Sequence, residues 1–249
     1  MNERGASSRL AHNGLIQKQK SGQWLLIDAD DTLWENSIYF EKTIADFISY
    51  LDHRIHTPSE VREHLNLTER ATIAATGYGL TSFRTSLTRC LEDLLETEAT
   101  NEQHVRIGQF VDHIGDHEIE LLDGVRTSLA ELAGRHTLML VTKGNREEQL
   151  RKLENSGLTH YFKQVEVLIE KDEQSYRKLC VRYGLPSGRT WMIGNSPRSD
   201  INPAIAAGLN AVLIPHEFTW VLEHEAIASA PDGQTLVMIG SFEELTEVF

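Results

Sequence analysis

The chain has 249 residues, of which 40% are hydrophobic and 24% are charged, and its formal net charge is -13. This length and apolar content suffice for one large α/β domain that carries an insertion. The negative charge argues against nucleic acid as a partner, because a phosphate backbone requires a basic surface. It still allows small phosphate esters, since a bound divalent cation reverses the local field.

The sequence lacks the marks of membrane, secreted and zinc-binding proteins. No stretch approaches the roughly 18 apolar residues that span a bilayer, and the N-terminal region has no apolar signal core. The 2 cysteines, Cys90 and Cys180, form neither a disulfide framework nor a metal-binding pair, and the 11 histidines show no zinc-binding spacing. We therefore expect a cytoplasmic protein without membrane association, whose cysteines serve packing.

The first half of the chain contains one predicted strand, followed only by helical patterns. Residues 1–21 are polar and aperiodic, which predicts a mobile tail. An apolar run predicts the first strand over residues 24–28. Apolar residues then recur at three- and four-residue spacing in residues 40–55, 59–76, 81–98 and 102–121. The segment 36–122 is therefore predicted to be an all-helical insertion.

Strands and helices alternate in the rest of the chain. Strands are predicted at residues 137–141, 165–169, 190–193, 211–214 and 236–239, and helices at 125–133, 146–155, 173–183, shortly after Asp200, and at 242–248. This alternation indicates a parallel sheet with right-handed crossovers. We predict an α/β fold, in which residues 22–35 and 123–249 form a Rossmann-like doubly wound parallel sheet and the helical insertion follows its first strand.

Two carboxylates follow the first predicted strand. Leu25, Leu26 and Ile27 are apolar and strand-forming, and Asp28 and Asp30 come directly after them and cannot be buried without partners. Two carboxylates two residues apart at a strand end suit a nucleophile beside a general acid/base. A strand that ends in an aspartate turn is the simpler explanation of this short pattern taken alone.

Polar residues also follow three later apolar runs, in an order typical of a known family. These residues are Thr142, then Lys171, then the pair Asn195 and Asp200. With the D-x-D-x-T-L pattern that begins at Asp28, they resemble the four motifs of the haloacid dehalogenase-like superfamily of phosphoryl-transfer hydrolases. The resemblance extends from about residue 24 to residue 215. Asn195 departs from the pattern, which usually has aspartate at that position.

The resemblance implies a role for each of these residues. Asp28 would attack phosphorus and form an aspartyl-phosphate, while Asp30 would act first as general acid and then as general base. The residues implied to bind Mg²⁺ are Asp28, Asp30 through its backbone carbonyl, Asn195 and Asp200. Those implied to bind the phosphate are Thr142, Lys143 and Lys171. Asn145 is better placed than Thr142 to cap the following helix, which leaves Thr142 for the substrate.

Ordinary structural roles remain open for several of these residues. Lys171 is also consistent with a surface lysine in an acidic run, and Lys178 on the next helix is a less well-placed substitute. Asp31 stands where the family commonly has Gly or Asn, and a turn-capping role fits it as well as a direct one. Asp200 is placed to cap a helix as well as to bind metal.

Substrate specificity is expected to reside in the helical insertion, which the resemblance implies is a cap over the active site. Two glycines within residues 76–83 predict a flexible polar loop, with Tyr78 and Phe83 as candidate specificity residues. An ordinary interhelical turn explains this loop equally well. Four residues follow the last main strand and are candidates for the pocket rim, with simple packing as the alternative: His216, Glu217, Trp220 and Glu223.

Three functions compete on this evidence. The first is Mg²⁺-dependent hydrolysis of a small phosphorylated metabolite. The second is another activity of the superfamily, such as that of a dehalogenase, a phosphonatase or a phosphomutase. Asp30 counts against a dehalogenase, and Lys42, the only lysine between Trp34 and Leu122, counts against a phosphonatase with a lysine in its cap. The third is a non-catalytic phosphate-binding protein, which only Asn195 favours. The sequence does not indicate the physiological substrate or the oligomeric state.

Overall fold

The computed structural model describes residues 18–51 and 55–249. The predicted mobile tail therefore lies outside the described residues over 1–17. At its described end, the Lys18 ammonium donates a hydrogen bond to the carbonyl of Thr246 over 2.7 Å. The backbone N–H of Gln19 donates to the carbonyl of Val248 over 2.8 Å. These two contacts attach this end of the segment to the C-terminal residues.

A six-stranded sheet forms the centre of the described fold, with strand order β3-β2-β1-β4-β5-β6. All neighbouring strands pair in parallel. The strands are β1 (Trp24–Ile27), β2 (Thr137–Lys143), β3 (Gln164–Leu168), β4 (Thr190–Gly194), β5 (Asn210–Leu213) and β6 (Leu236–Met238). Together with its flanking helices, this sheet confirms the predicted Rossmann-like α/β fold, and β1 lies at its centre, where both neighbours protect it.

Helices follow most of the strands, and five of them, α1 to α5, lie between β1 and β2. The helices are α1 (Ser37–Tyr50), α2 (Pro58–Thr76), α3 (Leu80–Leu95), α4 (Asn101–Gly115), α5 (Val125–Ala133), α6 (Arg146–Ser156), α7 (Glu173–Tyr183), α8 (Asn202–Ala206) and α9 (Leu245–Val248). A π-helical turn, Pro197–Ile201, precedes α8, so Asp200 lies inside a helical turn rather than before one. Within the described residues, no helix has the length and apolar character that a membrane crossing requires.

Several predicted boundaries were wrong. Helix α4 ends at Gly115, and the polar residues after it are not helical as predicted. The predicted helix over 242–248 is a 3₁₀ turn followed by the short α9. The predicted loop over 76–83 is confined to the residues between Thr76 and Leu80, because α3 already begins at Leu80. Phe83 therefore lies in a helix and is buried.

Helices α1 to α4 surround a hydrophobic cluster of their own. Its buried members are Ile44, Phe47, Val61, Leu65, Phe83, Leu87, Cys90, Leu91, Ile107, Phe110 and Val111. Two of these helices begin with capping boxes, at Thr57 with Glu60 and at Thr100 with Gln103, in which side chain and backbone satisfy each other reciprocally. Apolar residues at helical spacing thus bury a shared interior, as the periodicity of the sequence predicts.

Both faces of the sheet are covered, which explains the continuous apolar runs of its strands. Leu25 and Ile27 of β1 pack in one cluster with Leu129 of α5. The alternating residue, Leu26, packs on the opposite face with Tyr176 of α7. Because the strands are parallel, their carboxyl ends share one edge, and the residues that follow them meet there.

Candidate active site

The turn after β1 places three carboxylates close together in the chain. The backbone N–H of Asp28 continues the strand ladder and donates to the carbonyl of Ile193 over 2.9 Å. The chain then turns sharply, with the backbone N–H of Leu33 donating to the carbonyl of Ala29 over 2.8 Å. Asp31 takes the left-handed conformation with φ 57°, which turns the chain away from the sheet. The side chains of Asp28 and Asp30, which both follow the strand, therefore have different surroundings.

Asp28 belongs to a buried three-residue charge cluster. The Lys171 ammonium donates one hydrogen bond to Asp28 Oδ1 and a second one, over 2.7 Å, to Asp200 Oδ1. Lys171 is 4% exposed and Asp200 is 0% exposed, so the alternative of a surface lysine is wrong. Burial lowers the pKa of Lys171, but the carboxylates of Asp200 and Asp28 outweigh this effect and raise it. Burial and the nearby Asp200 raise the pKa of Asp28, against the opposite effect of Lys171.

Asn195 and Asp200 bring oxygen donors from the end of β4 to the same place. The Thr32 hydroxyl lies 3.4 Å from both Asp28 Oδ2 and Asn195 Oδ1, so these two side chains flank one point. Asp200 Oδ2 accepts a hydrogen bond from the backbone N–H of Ser196 over 3.0 Å, which orients the carboxylate and caps its own turn. Carboxylate and amide oxygens are the donors that hard divalent cations prefer.

Gly194 leaves the space that the Asp200 side chain occupies. A Cβ built at Gly194 would overlap the Asp200 carboxylate and lie 2.9 Å from its Cβ. We expect Gly194→Ala to displace Asp200, to break its contact with Lys171 and to lower kcat/KM more than about tenfold. The matched control is Gly188→Ala, because a Cβ there has no neighbour within 4 Å. Equal activity of the two variants would contradict this account of Gly194.

Asp30 is held on another side, by residues of α6. Its Oδ2 accepts from Gln149 Nε2 over 2.8 Å, and its Oδ1 accepts from the Lys152 ammonium over 2.8 Å and from Trp34 Nε1 over 2.7 Å. Burial raises the pKa of Asp30, but Lys152 and these hydrogen bonds together hold it below its usual value. In this arrangement Asp30 is therefore a carboxylate.

A single open cavity borders all of the predicted catalytic and metal-binding residues. It encloses about 1130 Å³ including its solvent-filled mouth. Asp28, Asp30, Asn195 and Asp200 line it, together with Thr142, Lys143 and Lys171. Thr142 is not the cap of α6, because the Asn145 side chain accepts hydrogen bonds from the backbone N–H groups of Glu147 and Glu148. The structure thus brings the residues of all four motifs together at one edge of the sheet.

Lys143 makes more contacts than the sequence indicated. Its ammonium lies 2.7 Å from Glu223 Oε1, 3.1 Å from Glu170 Oε1 and 2.8 Å from Ser199 Oγ. It also lies 3.1 Å from the Tyr78 hydroxyl, which donates to Glu170 Oε2 over 2.7 Å. Burial lowers the pKa of Lys143, but Glu223, Tyr78 and Glu170 together raise it. Lys143 is thus neutralised by carboxylates at the border of the cavity.

Tyr78 connects the helical insertion to the sheet. Besides its contact with Glu170, its ring lies at 6.4 Å from the Trp220 ring in an edge-on arrangement. A second connection joins the backbone N–H of Leu80 to the Glu148 carboxylate over 3.2 Å. Tyr78, Phe83 and Trp220 all line the cavity. The insertion therefore lies over the carboxyl edge of the sheet.

His216 differs from its predicted position. It does not belong to the cavity lining, and its Nε2 lies 3.2 Å from Glu35 Oε2 while its Nδ1 lies 3.8 Å from Asp31 Oδ1. The ligand atoms of Asp31, Glu35 and His216 all lie within 4.8 Å of one another. Asp31 Oδ1 also accepts from the backbone N–H groups of Asn36 and Ser37, each over 2.9 Å. Asp31 thus has the turn-capping role that was one of its two alternatives.

Several residues of the cavity were missed from the sequence. They are Gln149 and Lys152, which hold Asp30, Glu170, which pairs with Lys143, and Glu69 of α2. Glu223 was a rim candidate and does line the cavity, but its contact with Lys143 was not predicted. Gln149 and Lys152 are three residues apart and therefore share a face of α6, which the sequence could have indicated. Glu170 and Glu223 come from distant loops, and no local pattern points to their pairing with Lys143.

The arrangement belongs to a known family of enzymes. A family model for haloacid dehalogenase-like hydrolases matches residues 25–214 of this chain. Because this match covers well over half of the sequence, the chain belongs to that family, and the resemblance inferred from its four motifs is confirmed.

Three similar proteins show how far the likeness extends. Mouse N-acylneuraminate-9-phosphatase is 30% identical over 130 residues, which are 50% of each chain. This chain thus spans about half the length of that curated relative. A haloacid dehalogenase-like family hydrolase from Xanthomonas campestris is 30% identical, with a TM-score of 0.75 over 91% of this chain and 93% of that chain. Bacillus subtilis YfnB, described as a HAD-type hydrolase and solved with bound magnesium, shares the fold at 19% identity and a TM-score of 0.64, over 92% of this chain and 99% of its own.

Proposed function

We propose that this chain is a Mg²⁺-dependent phosphatase that hydrolyses a small phosphate monoester through an aspartyl-phosphate on Asp28. The observation that carries the proposal is the contrast between two carboxylates that border one cavity. Asp28 is buried against an ammonium and a second carboxylate, whereas Asp30 is turned toward α6. The first position suits a nucleophile at a charged phosphoryl group, and the second suits an acid/base at the leaving oxygen.

The oxygen donors near Asp28 fit Mg²⁺. Asp28 and Asp200 supply carboxylates, Asn195 supplies an amide oxygen, and the backbone carbonyl of Asp30 is the fourth proposed ligand. Mg²⁺ at this place would neutralise part of the negative charge of the phosphate and of the carboxylates around it. Lys171 contributes a further positive charge, and Thr142 and Lys143 are proposed to contact the phosphoryl oxygens.

The proposed reaction proceeds in two displacements. A carboxylate oxygen of Asp28 attacks phosphorus, the bond from phosphorus to the leaving oxygen breaks, and Asp30 donates a proton to that oxygen. Asp30 then takes a proton from water, which attacks phosphorus and breaks the aspartyl-phosphate bond. Inorganic phosphate leaves and both carboxyl groups return to their starting states. Asp30 must lose its contact with Lys152 and take up a proton before the first displacement, because Lys152 stabilises its ionised form.

The helical insertion, residues 36–122, is proposed to act as a cap. Support comes from the residues of α1 to α3 that line the same cavity as Asp28, and from the contact between Tyr78 and Glu170. A cap in this position would exclude bulk water from the phosphoryl group and contact the leaving group.

Other activities of the superfamily fit less well. A dehalogenase needs no acid/base at Asp30, yet three side chains hold this carboxylate in place. A phosphonatase with a lysine in its cap would need Lys42, but Lys42 is exposed and does not line the cavity. A phosphomutase would use the same carboxylates, and release of inorganic phosphate distinguishes it from a phosphatase. The phosphatase also accords with the activity that the curated mouse relative is named for.

The leaving-group dependence of the rate tests this proposal. Asp30→Asn should lower kcat/KM for methyl phosphate at least about 10²-fold more than for p-nitrophenyl phosphate, because a nitrophenolate leaves without a proton. Release of inorganic phosphate in the presence of Mg²⁺ is the measurement, and the exposed Asp232→Asn is the control. Equal losses of kcat/KM on both esters would show that Asp30 is not the general acid. Absence of phosphate release by the wild type from every ester tried would refute the phosphatase.

A further inference from the structure

The half of the cavity that α1 to α3 form differs chemically from the half at the sheet. Its apolar lining includes Phe40, Ile44, Ile73 and Phe83, with the Phe40 and Phe83 rings at 4.9 Å. Two carboxylates, Glu41 and Glu69, also line this half. The cations that line the described cavity are Lys143, Lys152 and Lys171, and all three belong to the sheet half. The insertion therefore offers the substrate an apolar wall and negative groups.

Glu41 already has a partner. The Arg62 guanidinium forms a two-point contact with it, over 2.8 Å to Glu41 Oε2 and 2.7 Å to Glu41 Oε1. This pair is neutral as a unit and satisfies both carboxylate oxygens. Glu69 is the remaining acidic group of the insertion at the described cavity.

One carboxylate oxygen of Glu69 is buried without a hydrogen-bond partner. It is 5% exposed, and its Oε2 is fully buried and has no hydrogen-bond partner among the described residues. Burial, opposed by Arg62 and assisted by Glu41, raises the pKa of Glu69 to about 7. A buried hydrogen-bond acceptor without a partner lowers the stability of the fold. A glutamate at this position therefore calls for a functional explanation.

The sheet half cannot supply the missing group. Each of its cations is occupied by carboxylates, since Lys143 contacts Glu223, Lys152 contacts Asp30, and Lys171 contacts Asp28 with Asp200. A ligand that enters the cavity can supply a hydrogen-bond donor to Glu69, which lines it. A protonated amine matches an acidic group of this kind in both charge and hydrogen bonding.

We propose that Glu69 is a specificity-determining residue, which binds a protonated amine on the leaving group of the phosphate ester. The phosphoryl group would lie at Asp28, the apolar part of the leaving group would pack against the insertion, and its ammonium would reach Glu69. The proposal rests on the phosphatase function proposed above. It also implies discrimination against leaving groups that carry a second negative charge, because nothing in this half of the described cavity would neutralise it.

A matched series of esters tests the proposal on the wild-type protein. The probes are linear alkyl phosphates of increasing length that end in an amine, a hydroxyl, a methyl or a carboxylate group. At one chain length, the amine should exceed the methyl and hydroxyl esters in kcat/KM by about tenfold or more, and the carboxylate should be the poorest. An amine ester that is no better than its methyl or hydroxyl counterpart at any length would overturn the proposal. Hydrolysis of the methyl-ended esters shows separately that the phosphatase function holds.

A substitution identifies Glu69 as the cause of the preference. Glu69→Gln should reduce the ratio of kcat/KM between the amine and methyl esters to near unity, a readout that general damage to the enzyme would not produce. The control is Glu63→Gln, the same change at an exposed position of α2, and it should preserve the wild-type ratio. An unchanged amine preference in Glu69→Gln would overturn the assignment. If Glu69→Gln does not fold, the wild-type series still decides whether an amine is preferred.

Discussion

Asp28→Asn is expected to reduce turnover by roughly 10⁴-fold or more, because it removes the proposed nucleophile. Stability should change little, within about 1 kcal/mol. The asparagine keeps the shape of the side chain, and Lys171 keeps its 2.7 Å contact with Asp200. Since burial disfavours the charged form of Asp28, a neutral amide at this position carries no added desolvation cost. Phosphate release and urea unfolding of the same preparation measure the two effects.

Trapping of the proposed aspartyl-phosphate is an independent test of Asp28. Wild-type protein quenched in acid during turnover should carry one phosphoryl group on Asp28, and Asp28→Asn should carry none. The exposed Asp46→Asn, on α1, is the control and should resemble the wild type in both experiments. Normal turnover in Asp28→Asn, or a phosphoryl group on another residue, would contradict the mechanism.

Lys171→Met is expected to have the largest effect on stability. The substitution leaves Asp28 and Asp200 buried together without the ammonium that bridges them. Breaking a buried charge cluster by removing one partner costs about 3–5 kcal/mol. Turnover should also fall steeply, because the positive charge beside the nucleophile is lost. Urea unfolding measures the first effect and phosphate release the second.

A second substitution separates repulsion from lost packing in the Lys171 variant. Adding Asp200→Asn to Lys171→Met should restore part of the stability, since one of the two like charges is then neutral. Lys178→Met is the control. Lys178 is exposed on α7, and its substitution removes the same positive charge from the same region of the protein. A Lys171→Met protein as stable as the Lys178→Met protein would show that the cluster does not depend on its lysine.

The sequence by itself determined the order of the elements and the position of the main catalytic candidates. The apolar runs that become β1, β2 and β4 are visible without a structure, because a parallel strand buried on both faces is apolar throughout. Polar residues directly after such runs have to lie at one edge of the sheet, and Asp28, Thr142 and Asn195 lie there. Helical spacing likewise predicted the insertion, though not the end of α4 at Gly115.

The tertiary structure alone decided which partners these side chains have. Asp30 and Lys152 are 122 residues apart, and Lys143 and Glu223 are 80 residues apart, so no local pattern relates them. The burial of Glu69 was equally invisible, because its exposure depends on how α2 packs against its neighbours. Periodicity and strand ends are local properties of the chain. Charge pairing and desolvation arise only when distant segments meet, and they decide what each carboxylate in this cavity can do.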